Sequence, residues 1–295
     1  MPERDRYLVS TDWLAQNLER HHLRVLECTV FLRPREDGQP GYAVVSGRDA
    51  WAAGHIPGSV YADIPDDLSD RAHALRFMMP PAEQFAVAMG RYGVADDSQV
   101  VLYDRAGNMW AARVWWMLRA FGFDNARILD GGWHEWSARG FAVSTDAASP
   151  PPAKFSATVR PGLIATKDDV LAAMAAGRSC IVNALNGAQY RGEVAPYGRA
   201  GHIPGSVNVP AMGAAGIVDP ETQTYHPIDE IRRRFERAGA GREERMITYC
   251  GGGIAASSAA FAAIMVGYSD VAVYDASLSE WAPDPALPME TSPKT

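Results

Sequence analysis

The sequence predicts an α/β protein built from two copies of one domain, each a parallel sheet with helices on both faces. Three observations predict it. Apolar runs of four to six residues, fit for buried strands, alternate with helical patterns along both halves. The heptapeptide Gly54-His-Ile-Pro-Gly-Ser-Val60 returns as Gly201-His-Ile-Pro-Gly-Ser-Val207, 147 residues later. Other landmarks keep nearly the same spacing: Pro81 and Gly93 match Pro227 and Gly239, while Asp130, Glu135 and Trp136 match Asp275, Glu280 and Trp281. The chain reads as a tandem duplication, with domains at residues 1–145 and 163–295 and a connector at 146–162.

Taken in order, Ser10 or Thr11 caps a short helix through Leu18, and Leu23 to Leu26 forms a strand. The polar, Gly/Pro-bearing stretch Arg33 to Gly41 reads as a loop. Pro81 and Gly93 bracket a helix, and Val100 to Tyr103 makes a strand ending at Asp104. Trp110, Trp115 and Trp116 fall in a helical pattern and are expected in the core. The connector carries Ser149-Pro-Pro-Pro152, a composition for extended chain rather than helix or inner strand. In the second half, Ile228, Ile231 and Phe235 mark the inner face of a helix whose Arg232-Arg233-Arg234 face is solvated. Met246 to Tyr249 matches Val100 to Tyr103, so Cys250 stands opposite Asp104, and a helix follows over Ile254 to Met265.

Composition sets bounds. At 295 residues each half is long enough to bury a core. A net charge of −7 with a pI near 5.5 argues against nucleic acid or an anionic membrane as the main partner. The charged amino terminus is not followed by the apolar core of a signal peptide, and no stretch reaches the length of a membrane span. Three cysteines, Cys28, Cys180 and Cys250, share no metal-like spacing, and their odd number suits a reducing compartment. The expected location is cytoplasmic, with no metal and no cofactor.

The chemistry concentrates in Cys250-Gly251-Gly252-Gly253-Ile254-Ala255-Ala256. A thiol here sits at the carboxyl end of a strand and the mouth of a helix, where ligands bind in open parallel sheets. Amides of the loop and first helical turn lack backbone acceptors, and their partial positive charge favours the anionic form of a thiol. Glycines let successive N–H groups turn inward. The competing view is that a lone cysteine is a small buried hydrophobe. The reading therefore requires residue 250 at the top of the sheet with amides converging on it, rather than packed beneath the surface. Cys28 and Cys180, in expected strands, take the inert role. His55 and His202 recur in both halves although only one half has the cysteine, so structural duty is expected of them.

The repeated Gly-His-Ile-Pro-Gly-Ser, the strand ending in Cys250 and the closing Glu280-Trp281 resemble the two-domain rhodanese family of sulfurtransferases over nearly the whole chain. The resemblance implies tandem rhodanese-like domains, with a non-catalytic first half and Cys250 as nucleophile in the second. It implies a ping-pong reaction. Cys250 takes a sulfur from a small anionic donor, thiosulfate or 3-mercaptopyruvate, and passes it to cyanide, a thiol or a thioredoxin-like protein. Mercaptopyruvate-preferring members resemble Cys-Gly-Ser-Gly-Val-Thr-Ala in this loop; here the glycine frame remains and both hydroxyls are gone. Phe77 stands where those members carry a histidine before Met-Leu-Pro, here Met78-Met79-Pro80. The first of their two carboxylate-binding arginines aligns with Gln189, leaving Arg191 or Arg199 to grip an anionic donor. Two alternatives compete. A cysteine-loop phosphatase needs an arginine at the sixth position after the cysteine, which is Ala256 here. A binding-only rhodanese-like module usually lacks the cysteine that this second half keeps.

Overall fold

A computed structural model of the chain describes residues 3–37, 41–177, 179–241 and 245–292. The chain divides into two compact units: Met1–Leu32, Val44–Arg160 and Glu221–Tyr225 form the first, and Arg33–Ala43, Pro161–Pro220 and His226–Thr295 the second. After a short turn at Arg4–Arg6 come β1 (Leu8–Val9), α1 (Thr11–Ala15), β2 (Leu23–Glu27), β3 (Val30–Pro34), β4 (Tyr42–Ser46), α2 (Arg48–Ala53) and β5 (Val60–Tyr61). Then follow α3 (Ala82–Arg91), β6 (Gln99–Tyr103), α4 (Met109–Ala120), β7 (Ala126–Leu129) and α5 (Gly132–Ala138). The later elements are β8 (Ile164–Ala165), α6 (Lys167–Ala176), β9 (Ser179–Asn183), α7 (Gly187–Arg191), β10 (Val207–Asn208) and α8 (Ile228–Arg237). The series closes with β11 (Arg245–Tyr249), α9 (Ile254–Met265), β12 (Val271–Tyr274) and α10 (Ser277–Trp281).

Each unit holds a five-stranded sheet, ordered β1-β7-β6-β2-β5 in the first and β8-β12-β11-β9-β10 in the second. Strand for strand the order is the same, and the pairings are parallel. The inner strands read as unbroken apolar runs because both faces are covered: Val100 to Tyr103 and Met246 to Tyr249 are buried throughout. Arg33 and Pro34, expected in a loop, end strand β3, which pairs with β4 in a separate two-stranded sheet. A proline at the end of such an edge strand removes no inner-ladder hydrogen bond, which is why its composition mimicked a loop. Residues 38–40 of that stretch lie outside the described residues.

Helix α9 begins at Ile254 and ends at Met265, as the alanine-rich run predicts, and all its residues but Ala255 are buried. A helix apolar on every side belongs in a core, and its small side chains suit close approach to β11 and β12. Helix α8 is its amphipathic counterpart. Ile231 and Phe235 are buried, while Arg232 pairs with Asp229 and Arg233 and Arg234 with Glu230. Trp110, Trp115 and Trp116 of α4 are core residues. The connector is extended but attached to the first unit: Ala153 N–H donates to Gly90, Thr158 N–H to Phe121, and Phe155 is buried against Phe85 and Phe123.

The repeated heptapeptide is a clamp on the central strand. Ile56 N–H donates to the Tyr103 hydroxyl, which also hydrogen-bonds Ser59 Oγ at 2.9 Å. In the second unit Ile203 N–H donates to the Tyr249 hydroxyl at 2.9 Å, and Ser206 Oγ lies 2.8 Å from it. The tyrosines precede Asp104 and Cys250 directly, so each clamp fixes the strand end that carries the key residue. The histidines hold the approach to the clamp. His55 stacks on Trp51 with ring centroids 4.3 Å apart and donates from Nδ1 to the Trp51 carbonyl. His202 stacks on Tyr190 at 3.8 Å and donates to the Tyr190 carbonyl. Both are buried, as structural duty requires.

Candidate active site

Cys250 directly follows β11, the middle strand of the second sheet, and the loop Gly251–Gly253 carries the chain into α9. Gly253 takes φ +81°, a left-handed conformation that frees the following amides from the strand direction. The N–H groups of Gly251 through Ala256 donate to no protein acceptor among the described residues; the first donor of the helix is Ser257, to the Gly253 carbonyl. The Cys250 N–H itself is taken by Ser277 Oγ at 3.0 Å.

Carbonyls of the loop are held from α10. Leu278 N–H donates to the Cys250 carbonyl, and Ser279 donates to the Gly251 carbonyl from both its N–H and its hydroxyl, the latter at 2.6 Å. Ser277 is buried at φ +52°, a costly conformation for a residue with a side chain. Its hydroxyl accepts the Cys250 N–H and donates to the Tyr274 carbonyl, tying the loop to the end of β12. Turning the carbonyls toward α10 leaves the amide side of the loop without protein partners.

The first unit shows what such a loop does with an anion. Asp104, buried at the equivalent strand end, accepts N–H bonds from Ala106 and Asn108 on Oδ1 and from Trp110 and Ala111 on Oδ2, at 2.7 to 2.9 Å. Burial pushes its carboxyl up, and these four amides oppose that shift. Counted from the first helical residues, Met109 and Ile254, the counterparts of Asn108, Trp110 and Ala111 are Gly253, Ala255 and Ala256. The second unit has a thiol at the strand end where the first has a carboxylate, and its loop amides are left without protein acceptors.

No loop amide donates to the Cys250 sulfur. The amides are unpartnered, but the thiol is covered: Cys250 is 3% exposed. The cover over the neighbouring glycine is Tyr197, since a Cβ placed on Gly251 would fall on the Tyr197 Cζ and hydroxyl. Burial, and then the adjacent Cys250 sulfur, push the Tyr197 phenol up, so it stays protonated.

The arginines part company. Arg199 donates to the carbonyls of Trp281, Ala282, Asp284 and Leu287, so its guanidinium anchors the chain after α10 and is not offered to a donor. Arg191, the last residue of α7, lies over Gly187 and pairs with Glu193 at 2.9 Å, both side chains partly exposed. Cys28 and Cys180 are buried and form no disulfide, and burial pushes the Cys28 thiol well up. Among the described residues no group of His, Cys, Asp and Glu is arranged to hold a metal ion. Tyr197, Ser277 and Ser279 escaped the sequence reading. The one visible trace was at Ala276-Ser277, where the second half departs from the Gly131-Gly132 of the first.

Comparison with known proteins fits this geometry. The family description "Rhodanese-like domain" matches residues 10–139 and 166–284. A 3-mercaptopyruvate sulfurtransferase of Homo sapiens is 34% identical over 292 residues, covering 95% of this chain and 93% of its own. A thiosulfate sulfurtransferase of Rattus norvegicus is 33% identical, over 94% of this chain and 92% of its own. The crystal structure of the 3-mercaptopyruvate sulfotransferase of Escherichia coli superposes with a TM-score of 0.81 at 31% identity, covering 92% of this chain and 98% of that one. With the duplicated sheet, the clamped strand ends and the cysteine loop, these matches place the chain in the two-domain rhodanese family of sulfurtransferases.

Proposed function

We propose that this sulfurtransferase moves a sulfane sulfur from 3-mercaptopyruvate or thiosulfate to a thiophilic acceptor through a persulfide on Cys250. The observation that carries the reading is the pair of cradles. One set of amides is filled by the Asp104 carboxylate, and the matching set, Gly251 through Ala256, is unpartnered beside a thiol.

In the first step the Cys250 thiolate attacks the sulfur to be transferred, the outer one of thiosulfate or the thiol sulfur of 3-mercaptopyruvate. With thiosulfate the S–S bond breaks and sulfite leaves with the bonding pair. With 3-mercaptopyruvate the C–S bond breaks, and the pair stays on carbon as the pyruvate enolate, which takes up a proton. In the second step cyanide or a thiolate attacks the outer sulfur of the persulfide and regenerates the Cys250 thiolate. Loop amides suit both steps, because they stabilise negative charge on thiolate, persulfide and leaving anion without reorganising.

Arg191 is the proposed grip for the donor's anionic group. Its pair with Glu193 is partly exposed and worth at most about 1 kcal/mol, so the guanidinium is cheaply released. The proposed acceptor in the cell is a thiol or a thioredoxin-like protein, and three cysteines outside any disulfide suit the reducing cytoplasm. No described helix is long and apolar enough to cross a membrane. The phosphatase alternative lacks its guanidinium, because position 256 is a buried alanine.

The test is intact-protein mass spectrometry after incubation with each donor. A gain of one sulfur, absent in Cys250→Ser and removed by cyanide, supports the reading; no gain with either donor rejects it.

A further inference from the structure

Tyr197 has a position that the sulfur chemistry does not by itself explain. Its ring lies on the Cα of Gly251 so closely that no other residue fits there, which gives that glycine a reason beyond loop conformation. Cys250, the residue before that glycine, is 3% exposed, and its sulfur is near enough to help push the Tyr197 phenol up. That phenol O–H donates to no protein acceptor among the described residues. The other hydroxyls of the second unit at the loop are committed: Ser277 donates to the Tyr274 carbonyl and Ser279 to the Gly251 carbonyl.

The segment that carries Tyr197 is built to place it. Pro196 precedes it with a fixed φ. Gly198 follows at φ +111° with open space around it, and Arg199 is then locked onto the carbonyls of Trp281, Ala282, Asp284 and Leu287. The tyrosine therefore stands between a stiff residue and a permissive one, next to a fixed anchor. A turn about Gly198 moves the ring while Arg199 stays in place.

We infer that Tyr197 is a donor-positioning residue: its ring covers the Cys250 sulfur in the resting site, and its phenol O–H donates to the anionic group of the sulfur donor once the ring has swung aside. The inference rests on the proposed sulfur-transfer reading for its second half only. Covering the sulfur is a property of the free protein. A phenol held protonated is a neutral donor, so it orients an anion without competing with the loop for the sulfur's own charge.

Two readouts on the full chain test the two halves separately. The first is the rate of Cys250 alkylation by iodoacetamide, followed by peptide mass spectrometry, in wild type, Tyr197→Ala and Tyr197→Phe. Removing the ring is expected to raise the rate about ten-fold or more, while Phe, which keeps the cover, stays near wild type. An unchanged rate in Tyr197→Ala overturns the cover; if that variant does not fold, as judged by circular dichroism, Tyr197→Leu answers the same question. The second readout is kcat and KM for 3-mercaptopyruvate and thiosulfate. Tyr197→Phe is expected to raise KM about ten-fold for at least one donor with kcat little changed, as loss of one hydrogen bond to a charged group predicts. Unchanged KM for both donors overturns the positioning role. If wild type forms no persulfide with either donor, the proposed function and the positioning role fall together, and the alkylation rates still decide the cover.

Discussion

Asp104 and Cys250 occupy matching strand ends, and the difference between a carboxylate and a thiol separates a scaffold from a reactive site. The carboxylate satisfies four amides at once. Asp104→Ala would leave those donors without an acceptor in a buried place, which is expected to destabilise the first unit by about 3 kcal/mol or more. Asp104→Asn, with one oxygen left, should cost less. Urea unfolding gives both values, and an Ala variant as stable as wild type would mean that the cradle needs no anion. On the other side of the duplication, Arg191→Ala is expected to raise KM for the anionic donor while kcat changes little. An unchanged KM removes Arg191 from the donor and leaves its anion to the loop amides and Tyr197. At this scale the sequence was half legible. Cys250 and its glycines stand together in the chain, so local pattern reveals them. Tyr197, Ser277 and Ser279 reach the loop from distant segments, and no periodicity announces such contacts. Arg199 looked like a free cation because its carbonyl acceptors leave no mark in side-chain sequence.

Among the elements, the clamp formed by each heptapeptide on its strand makes a stability prediction with a sign. Burial pushes the Tyr249 phenol up to about 12, while in the unfolded chain it ionises near 10. Folding therefore favours the protonated phenol. The contribution is fully present below pH 10 and is lost as pH rises from 10 through 12, by about 2–3 kcal/mol for a buried group. Tyr61, also pushed up to about 12, acts in the same direction. Urea midpoints at pH 9, 10 and 11 should fall over the last two, and Tyr249→Phe should flatten that fall. A profile flat to pH 11 in wild type would mean that the phenol is solvated and the clamp open. Ser206→Ala, which removes one hydrogen bond from Tyr249, is expected to cost about 1 kcal/mol at neutral pH. Helix limits were legible where composition changes abruptly: Ile254–Met265 follows directly from its alanine run. The strand at Arg33-Pro34 was not legible, because polar residues and a proline are tolerated at an edge.

Across the whole molecule, duplication explains both the strength of the sequence reading and its gaps. Two sheets of the same order follow from a heptapeptide and a set of landmarks that recur at nearly constant spacing. What the copies share is scaffold: the clamp and the stacked histidines. What differs is chemistry, where Cys250 replaces Asp104 and Ser277 replaces Gly132. These differences mark the candidate site without any ligand, but they do not reveal Tyr197, which reaches Gly251 from the segment before the second heptapeptide. The most direct test of the account is the mass of the intact protein after exposure to 3-mercaptopyruvate or thiosulfate. The account predicts one added sulfur on Cys250, removable by cyanide and absent in Cys250→Ser with the fold unchanged. An added sulfur that persists in Cys250→Ser, or none on wild type with either donor, would contradict it.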